Sequence, residues 1–518
     1  MSYRYGGYGR SRDWKSRDIL KPLAIGAAVL LVILLISFLI ASPLFHPFAI
    51  AIWKHWPGLV VLGIALGGVL LTLYERALIG VPIAIIFVLW AVIGSVLGDA
   101  WKKEVFLANT NIEQLQTEPE TTGFRFLPLE VAQTTATNKT TDSQVTPTNP
   151  EPIVSGNSAT WIVPEEPNNT QMKYFGQQPG YLTVNTTADT ERYTTGYTPG
   201  FGLCCFSGRS VPWTSIRKHF WADYQEEYMT NLSGETVIVK PYLTYYLSFA
   251  HVLPVMVPEY GGVLIFHADG TSEDLTPSEA AQEYPEGRFY PHELAKYFSQ
   301  SYQYKNGIIN ALFVHNDMPD VPKLGAKDDK SANEFPFLLP VEGRSVWYTA
   351  AEPYGASKSV KISYYIDATT GAVQVYDYGN SAAYVGPDRA ESYVNNAFNT
   401  LKGTSFYEPR PLVKNGNLYW MLSASASGTP DVQFTALVDA HSEDVIRLNN
   451  QQEVERVVNG EDPRKVGQVV SGSGASTDTT QSTTSTTSGG SSDVSSMSNE
   501  QLAKELREAA DRLEKAGK

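Results

Sequence analysis

Cysteine is nearly missing from this 518-residue sequence: Cys204 and Cys205 are the only two, and they are adjacent. A disulfide framework and a four-thiolate zinc site are excluded, because neighbouring cysteines bridge only through a strained ring. The pair reads either as two small buried apolar groups or as a redox switch. The eight histidines (His46, His55, His219, His251, His267, His292, His315 and His441) form no His-Glu-x-x-His pattern and no pair at helical ligand spacing. No metal site is expected from them. Also missing are a Gly-x-Ser-x-Gly elbow and a Gly-rich loop ending in Lys-Ser or Lys-Thr, so no catalytic residue and no cofactor is assigned. Glu226 with Glu227, and Asp328 with Asp329, are adjacent carboxylates that read as solvated loop residues. A dispersed catalytic pair leaves no linear trace.

Basic charge is scarce outside the N-terminus. The net charge is −14, and the first 21 residues hold six basic and two acidic side chains, which leaves −18 for the rest. Phosphate binding needs a basic face, so nucleic acid is excluded as a partner.

What the sequence does have is apolar length. Residues 23–44, 58–74 and 77–97 are almost free of charge, and each is about long enough to cross ~30 Å of hydrocarbon as a helix. Three transmembrane helices are expected, with the lipid bilayer as a partner. The N-terminal tail and Arg76 place seven basic residues on one side, against Lys54, Lys102 and Lys103 on the other. The N-terminus is therefore expected in the cytoplasm and everything past Trp101 outside it. The spans hold no charge in mid-membrane, which argues against a self-sufficient pump. They do hold Gly63 with Gly67 and Gly94 with Gly98. These small-xxx-small spacings suit helix packing, either among the three helices or between chains.

The expected fold class is α+β, with three N-terminal transmembrane helices followed by a multi-domain antiparallel-sheet-plus-helix extracytoplasmic region. Residues 1–21 are a basic disordered tail, 22–98 the spans and 99–132 a membrane-proximal segment. Residues 133–158, rich in Thr, Asn and Pro, read as a stalk or loop. Residues 159–289 read as mainly β, with Phe220, Trp221, Tyr224 and Tyr228 as a core-facing helix stripe. Thr276 with Glu279 forms a capping box, Pro291 opens a helix, and Asn415-Gly416 turns a hairpin. Asn138, Asn168, Asn185 and Asn231 begin N-glycosylation sequons, in keeping with an external location. Residues 471–497 are a Ser/Thr/Gly linker, and 498–516 an amphipathic helix whose face is Leu502, Leu506, Ala509 and Leu513. That stripe suits docking on a partner protein, on another copy of the chain, or on the parent domain.

Two segments of the 290–465 region resemble each other. Tyr365-Ile-Asp367-Ala-Thr-Thr-Gly371 and Ala436-Leu-Val-Asp439-Ala each put an Asp-Ala turn between strands. Asp accepts bonds from its own following backbone and Gly takes positive φ, so turn chemistry alone selects such residues. The order of helix, strands and Asp-Ala turn over residues 290–450 resembles the PepSY domain family, as two repeats. The resemblance implies a small cystatin-like fold, and a modulator of proteases as one function. The function expected from the whole chain is that of a membrane-anchored, non-catalytic binding or assembly protein of a cell or virus envelope. An accessory subunit of an envelope export, conjugation or transport complex, and an envelope hydrolase or protease modulator, are the alternatives.

Overall fold

The computed structural model describes Val29 and residues 42–75, 80–140, 142–155, 158–175, 179–184, 190–193, 210–250, 254–322, 324, 335–355, 357–379, 384–426, 428–429 and 431–471. The chain is a mixed α+β protein built mainly on antiparallel sheets. Helix Ser42–Glu75 runs unbroken through 45–57, the stretch expected to separate two spans, and through Pro47 and Pro57. Each proline removes one helix hydrogen bond without ending the helix. Helix Gly80–Ala108 likewise continues past the expected exit at 97. Among the described residues one stretch, Phe45–Ile64, is long and apolar enough to cross a bilayer, with mean hydropathy 1.3. Three spans are thus not established. The first expected run, 23–44, lies almost wholly outside the described residues.

Beyond the long helices, one pattern recurs: a short helix followed by a four-stranded antiparallel meander. Four such units are present among the described residues. Unit I (129–193) is helix Leu129–Lys139 with strands Glu151–Ser155, Ser158–Pro167, Gly180–Val184 and Thr190–Tyr193. Unit II (211–275) is helix Val211–Lys218 with strands Tyr228–Leu232, Glu235–Ser248, Val255–Phe266 and Ser272–Leu275. Unit III (292–377) is helix His292–Ser301 with strands Phe337–Val341, Arg344–Pro353, Ile362–Asp367 and Val373–Asp377. Unit IV (387–448) is helix Pro387–Ala397 with strands Thr404–Lys414, Asn417–Ala426, Phe434–Asp439 and Val445–Leu448. In units I to III a short preceding strand pairs with the far end of the second strand. In unit IV that strand is fused to the first through a bulge between Tyr407 and Arg410. The first hairpins of units II, III and IV turn on two consecutive positive-φ residues, Ser233-Gly234, Glu342-Gly343 and Asn415-Gly416, the turn whose twist suits paired strands.

The units also repeat at the level of single hydrogen bonds. Three residues into the second strand of units I, III and IV stands a tryptophan. The indole N–H of Trp161 donates to the Leu127 carbonyl (3.1 Å), that of Trp347 to Tyr290 (2.9 Å) and that of Trp420 to Val385 (2.6 Å). Each acceptor lies two residues before its helix, and none of these helices has a side-chain cap. A helix start without a cap leaves its lead-in unfixed; here the indole fixes it. Unit II has Ile238 at the tryptophan position, and its helix instead carries a Ser210 cap that accepts from the Trp213 N–H at 3.2 Å.

In units III and IV the Asp-Ala turn completes the latch. Asp367 Oδ1 accepts from the amides of Thr369 and Thr370 (2.9 and 2.8 Å), and Asp439 Oδ1 from those of His441 and Ser442 (2.9 and 3.0 Å). The following alanines, Ala368 and Ala440, are fully buried. Their carbonyls accept from Tyr290 N and Val385 N, each at 2.7 Å, and their amides donate to Ser345 O (2.9 Å) and Leu418 O (3.0 Å). Helix lead-in, second strand and turn are thereby tied at one point.

Both faces of most sheets are covered. Val394 and Ala390 pack beside Trp420 and Leu422 on one face of unit IV, while Tyr419 and Met421 face helix Gln451–Val458 on the other. Unit II repeats this arrangement with helix Pro277–Glu283, whose Thr276–Glu279 capping box is present. Ile162 of unit I shares a core with Val211 and Ile238 of unit II, and Tyr348 of unit III shares one with unit IV. Among the described residues beyond the long helices, a pair of units plus a covering helix is therefore made twice.

Two sequence expectations are corrected. Residues 133–158 are not a stalk: they hold most of helix Leu129–Lys139 and strands Val145–Pro147 and Glu151–Ser155, because Val131, Ala132 and Ala136 bury against Trp161. Phe220, Trp221, Tyr224 and Tyr228 are not a helix stripe. The Ser210 cap and Pro212 start the helix earlier, it ends at Lys218, and Tyr224 and Tyr228 pair in the sheet of unit II.

Changing Trp161, Trp347 or Trp420 to Phe strands a buried carbonyl, at a cost of about 1–3 kcal/mol each. Each variant is expected to lower the thermal midpoint of the solubilised chain, read by circular dichroism. Wild-type midpoints in all three would refute the latch.

Candidate functional site

Three units meet around one arginine. Arg288, on the lead-in to unit III, donates to Glu151 of unit I (2.9 Å). Its guanidinium lies 3.8 Å from the ring centre of Tyr228 in unit II and 5.7 Å from that of Trp347 in unit III. Burial pulls the group's pKa down, but Glu151 and Tyr228 outweigh it and hold the guanidinium above its usual value. The cavity beside it measures about 100 Å³ and takes in Glu226, His292 and Glu293. Burial, and then Glu151, raises the Glu226 carboxyl, while a bond from His292 lowers that of Glu293. Because Arg288 is already paired, it acts as a strut. Glu226 faces the same cavity, beside the paired His292 and Glu293, and a carboxylate there suits a cationic group. Among the described residues no cluster of His, Cys, Asp and Glu is placed to hold a metal ion.

A second buried cluster joins the segment between the long helices and unit I to unit IV. Arg125 donates to Glu408 Oε2 at 2.5 Å, Leu129 N donates to Glu408 Oε1 at 2.8 Å, and Arg410 Nη2 donates to Ser423 Oγ at 2.6 Å. Arg410 also bonds the Arg125 carbonyl. All three charged residues are less than 5% exposed. Burial lowers the Arg410 pKa to about 10, against the pull of Glu408. Nearby, Glu118 accepts from Tyr365 (2.8 Å) and from Tyr378, and Ser363 links Tyr378 to Tyr348. Burial raises the Glu118 carboxyl to about 7, and the tyrosine bonds only partly offset it. Glu352, beside Lys358 at 3.4 Å, is raised by burial to about 7 as well.

The sequence-selected residues fall elsewhere. Gly63 and Gly67 are exposed on helix Ser42–Glu75, and at Gly63, Gly67 and Gly98 no atom lies within 4 Å of where a Cβ would stand. Gly94 and Gly98 line a cleft between the long helices. Asn138 and Asn231 are exposed, and Asn168 is exposed but its amide already donates to Ser143 O at 2.8 Å. Asn185, both cysteines and the face Leu502, Leu506, Ala509 and Leu513 lie outside the described residues. Arg288 and Glu408 gave no linear signal, since Glu151 and Arg125, the partners that tie them to other parts of the chain, are more than 100 residues away.

Glu408→Gln leaves Arg125 and Arg410 without their counter-charge, and a loss of about 3–5 kcal/mol is expected, read as a lower denaturation midpoint. The raised carboxyls give a second expectation. Their protonated forms fit the fold, so their contribution is full below the unfolded value near 4.5 and is lost as pH rises through about 7. Stability is expected to fall across that window by up to about 3 kcal/mol per group. Glu118→Gln should flatten the slope and raise the midpoint above pH 8; an unchanged slope would remove Glu118 from the account.

No family model, curated protein or solved structure matches the chain, so the PepSY resemblance rests on the turn residues and element order alone.

Proposed function

We propose that the chain is a membrane-anchored binding or assembly protein, holding its four units on a helical stem outside the cytoplasm. The observation that carries this reading is the continuity of helix Gly80–Ala108. At one end Ile85, Ile86, Leu89 and Val92 are exposed, and at the other Trp101, Val105 and Phe106 are buried in the core of unit III. Exposed side chains of that kind over several turns need an apolar surrounding. On helix Ser42–Glu75, Lys54 pairs with Asp223, and Trp53 packs on Trp221 with ring centres 5.0 Å apart. That contact keeps the helix near residue 54 at the body and leaves 57–75 to pair with 80–97, each about 27 Å long at the helical rise. The turn beside Ala100 exposes Ile309, Phe313 and Val314, which suits the lipid interface. Orientation rests on the basic N-terminal tail.

The second reading, an accessory subunit of an envelope export, conjugation or transport complex, is favoured by the open faces at Gly63 and Gly67. These faces could take a helix of a larger channel. The face Leu502, Leu506, Ala509 and Leu513 would serve a protein partner or self-association in either case. Co-purification of a defined channel after mild detergent extraction separates the two.

With Cys204 and Cys205 replaced by Ser, a cysteine at the exposed Thr137 is expected to react with a membrane-impermeant maleimide on intact cells. Reaction only after permeabilisation would overturn the orientation, and release of the chain by alkaline carbonate would overturn the anchor.

A further inference from the structure

The cleft between the two long helices has the form of a ligand site. It measures about 480 Å³. Its floor is apolar, formed by the buried Val61 of one helix and by Val255 and Met256 on the long hairpin of unit II, with the exposed Leu62 beside them. Its depth comes from Gly94 and Gly98 on the other helix, where side chains would otherwise project. The small-xxx-small spacing therefore opens a groove here.

The mouth of the cleft is basic. Lys54, His55 and Lys102 line it together with a single carboxylate, Asp99, and the charges act on one another. Lys54 is compensated by Asp223, and Asp99 pairs with Lys103 at 2.8 Å. Lys102 is half-buried, and among the described residues it has no carboxylate within ion-pair distance. Burial holds its ammonium below the usual value, and Lys54 adds to that effect while Asp99 opposes it. A desolvated, unpaired cation is costly unless an anion meets it. An apolar groove running from that cation toward the exposed faces of both helices defines an anion that carries a hydrocarbon tail.

We infer that the cleft binds one anionic phospholipid, its phosphate on Lys102 and an acyl chain along Gly94 and Gly98. The inference deepens the membrane-anchor reading and rests on it. It gives the glycines a role in lipid selection and places a specific lipid at the joint between stem and body.

The test uses the full chain reconstituted in nanodiscs of mixed phosphatidylglycerol and phosphatidylcholine, followed by native mass spectrometry of retained lipid. Selective retention of phosphatidylglycerol is expected. Lys102→Gln should reduce it by roughly tenfold or more, the loss of one charge-assisted contact. Gly98→Leu, which fills the groove at a position with no atom within 4 Å of its Cβ, should abolish it while circular dichroism stays unchanged. Equal retention of both lipids, or retention unchanged in Gly98→Leu, would overturn the inference. Displacement by inorganic phosphate alone would do so too, since it would mark a tail-less anion site. Carbonate extraction of the same variants keeps the two readings apart: a chain that stays in the membrane yet retains no lipid fails only here.

Discussion

The fold closes through a charge cluster that is almost wholly withdrawn from water. Glu408 sits between Arg125 and Arg410, and Arg125 also lies 4.5 Å from the ring centre of Trp161. Taking three charges out of water costs more than any one contact returns, so the cluster draws on further partners: Leu129 N for Glu408, the Arg125 carbonyl and Ser423 hydroxyl for Arg410, and the Trp161 ring for Arg125. Its position explains why the chain tolerates it. Before unit I begins, the chain runs from the long helices across units III and IV. Ile112–Gln114 adds a parallel strand to Val373–Asp377, Thr121 bonds Val413, and Arg125 reaches Glu408. The first segment after the helices is therefore locked to the last unit, and the four units form a closed body.

The repeat shows where that lock was fitted. Units I to III divide the first strand in two, and unit IV fuses the halves through a bulge that leaves Glu408 at φ +52°. A bulge re-aims one side chain, and here it aims a carboxylate at Arg125. Unit II departs differently, exchanging the indole latch for a serine cap. Its second and third strands, 14 and 12 residues long, are free to lengthen toward the long helices.

The sequence spelled out the local parts of this design and hid the rest. The Asp-Ala turns, the Thr276 box and the Asn415-Gly416 hairpin were legible because each depends on a few neighbouring residues. The repeat that makes the two N-terminal units was not, although residues 159–289 read as mainly β. Sheets covered on both faces lose the alternation that marks a strand: Val255–Phe266 of unit II is buried over its first four and last five residues, and Gly180–Val184 of unit I at four of its five. In unit I a Thr- and Asn-rich composition masked a helix that buries Leu129, Val131, Ala132, Thr135 and Ala136. The signal that could have found unit I was the tryptophan spacing, since Trp161, Trp347 and Trp420 each stand three residues past the start of a second strand. The Arg288 junction draws on residues 151, 228, 288 and 347, and no linear pattern joins those.

The way the stem enters the body bears on what the protein can transmit. Trp101, Val105 and Phe106 share one core with Phe298, Tyr302 and Tyr364. The same helix continues outward with exposed apolar residues and no intervening loop. A helix without a hinge passes rotation along its axis, because close-packed cores shift as a whole. Under the membrane reading, tilt of the stem in the bilayer would reach unit III directly. Unit III also carries Trp347 and lies next to Arg288, so the junction of units I, II and III would feel it. A lipid held in the cleft inferred near Lys102 would therefore act one helical turn from the core that organises the body.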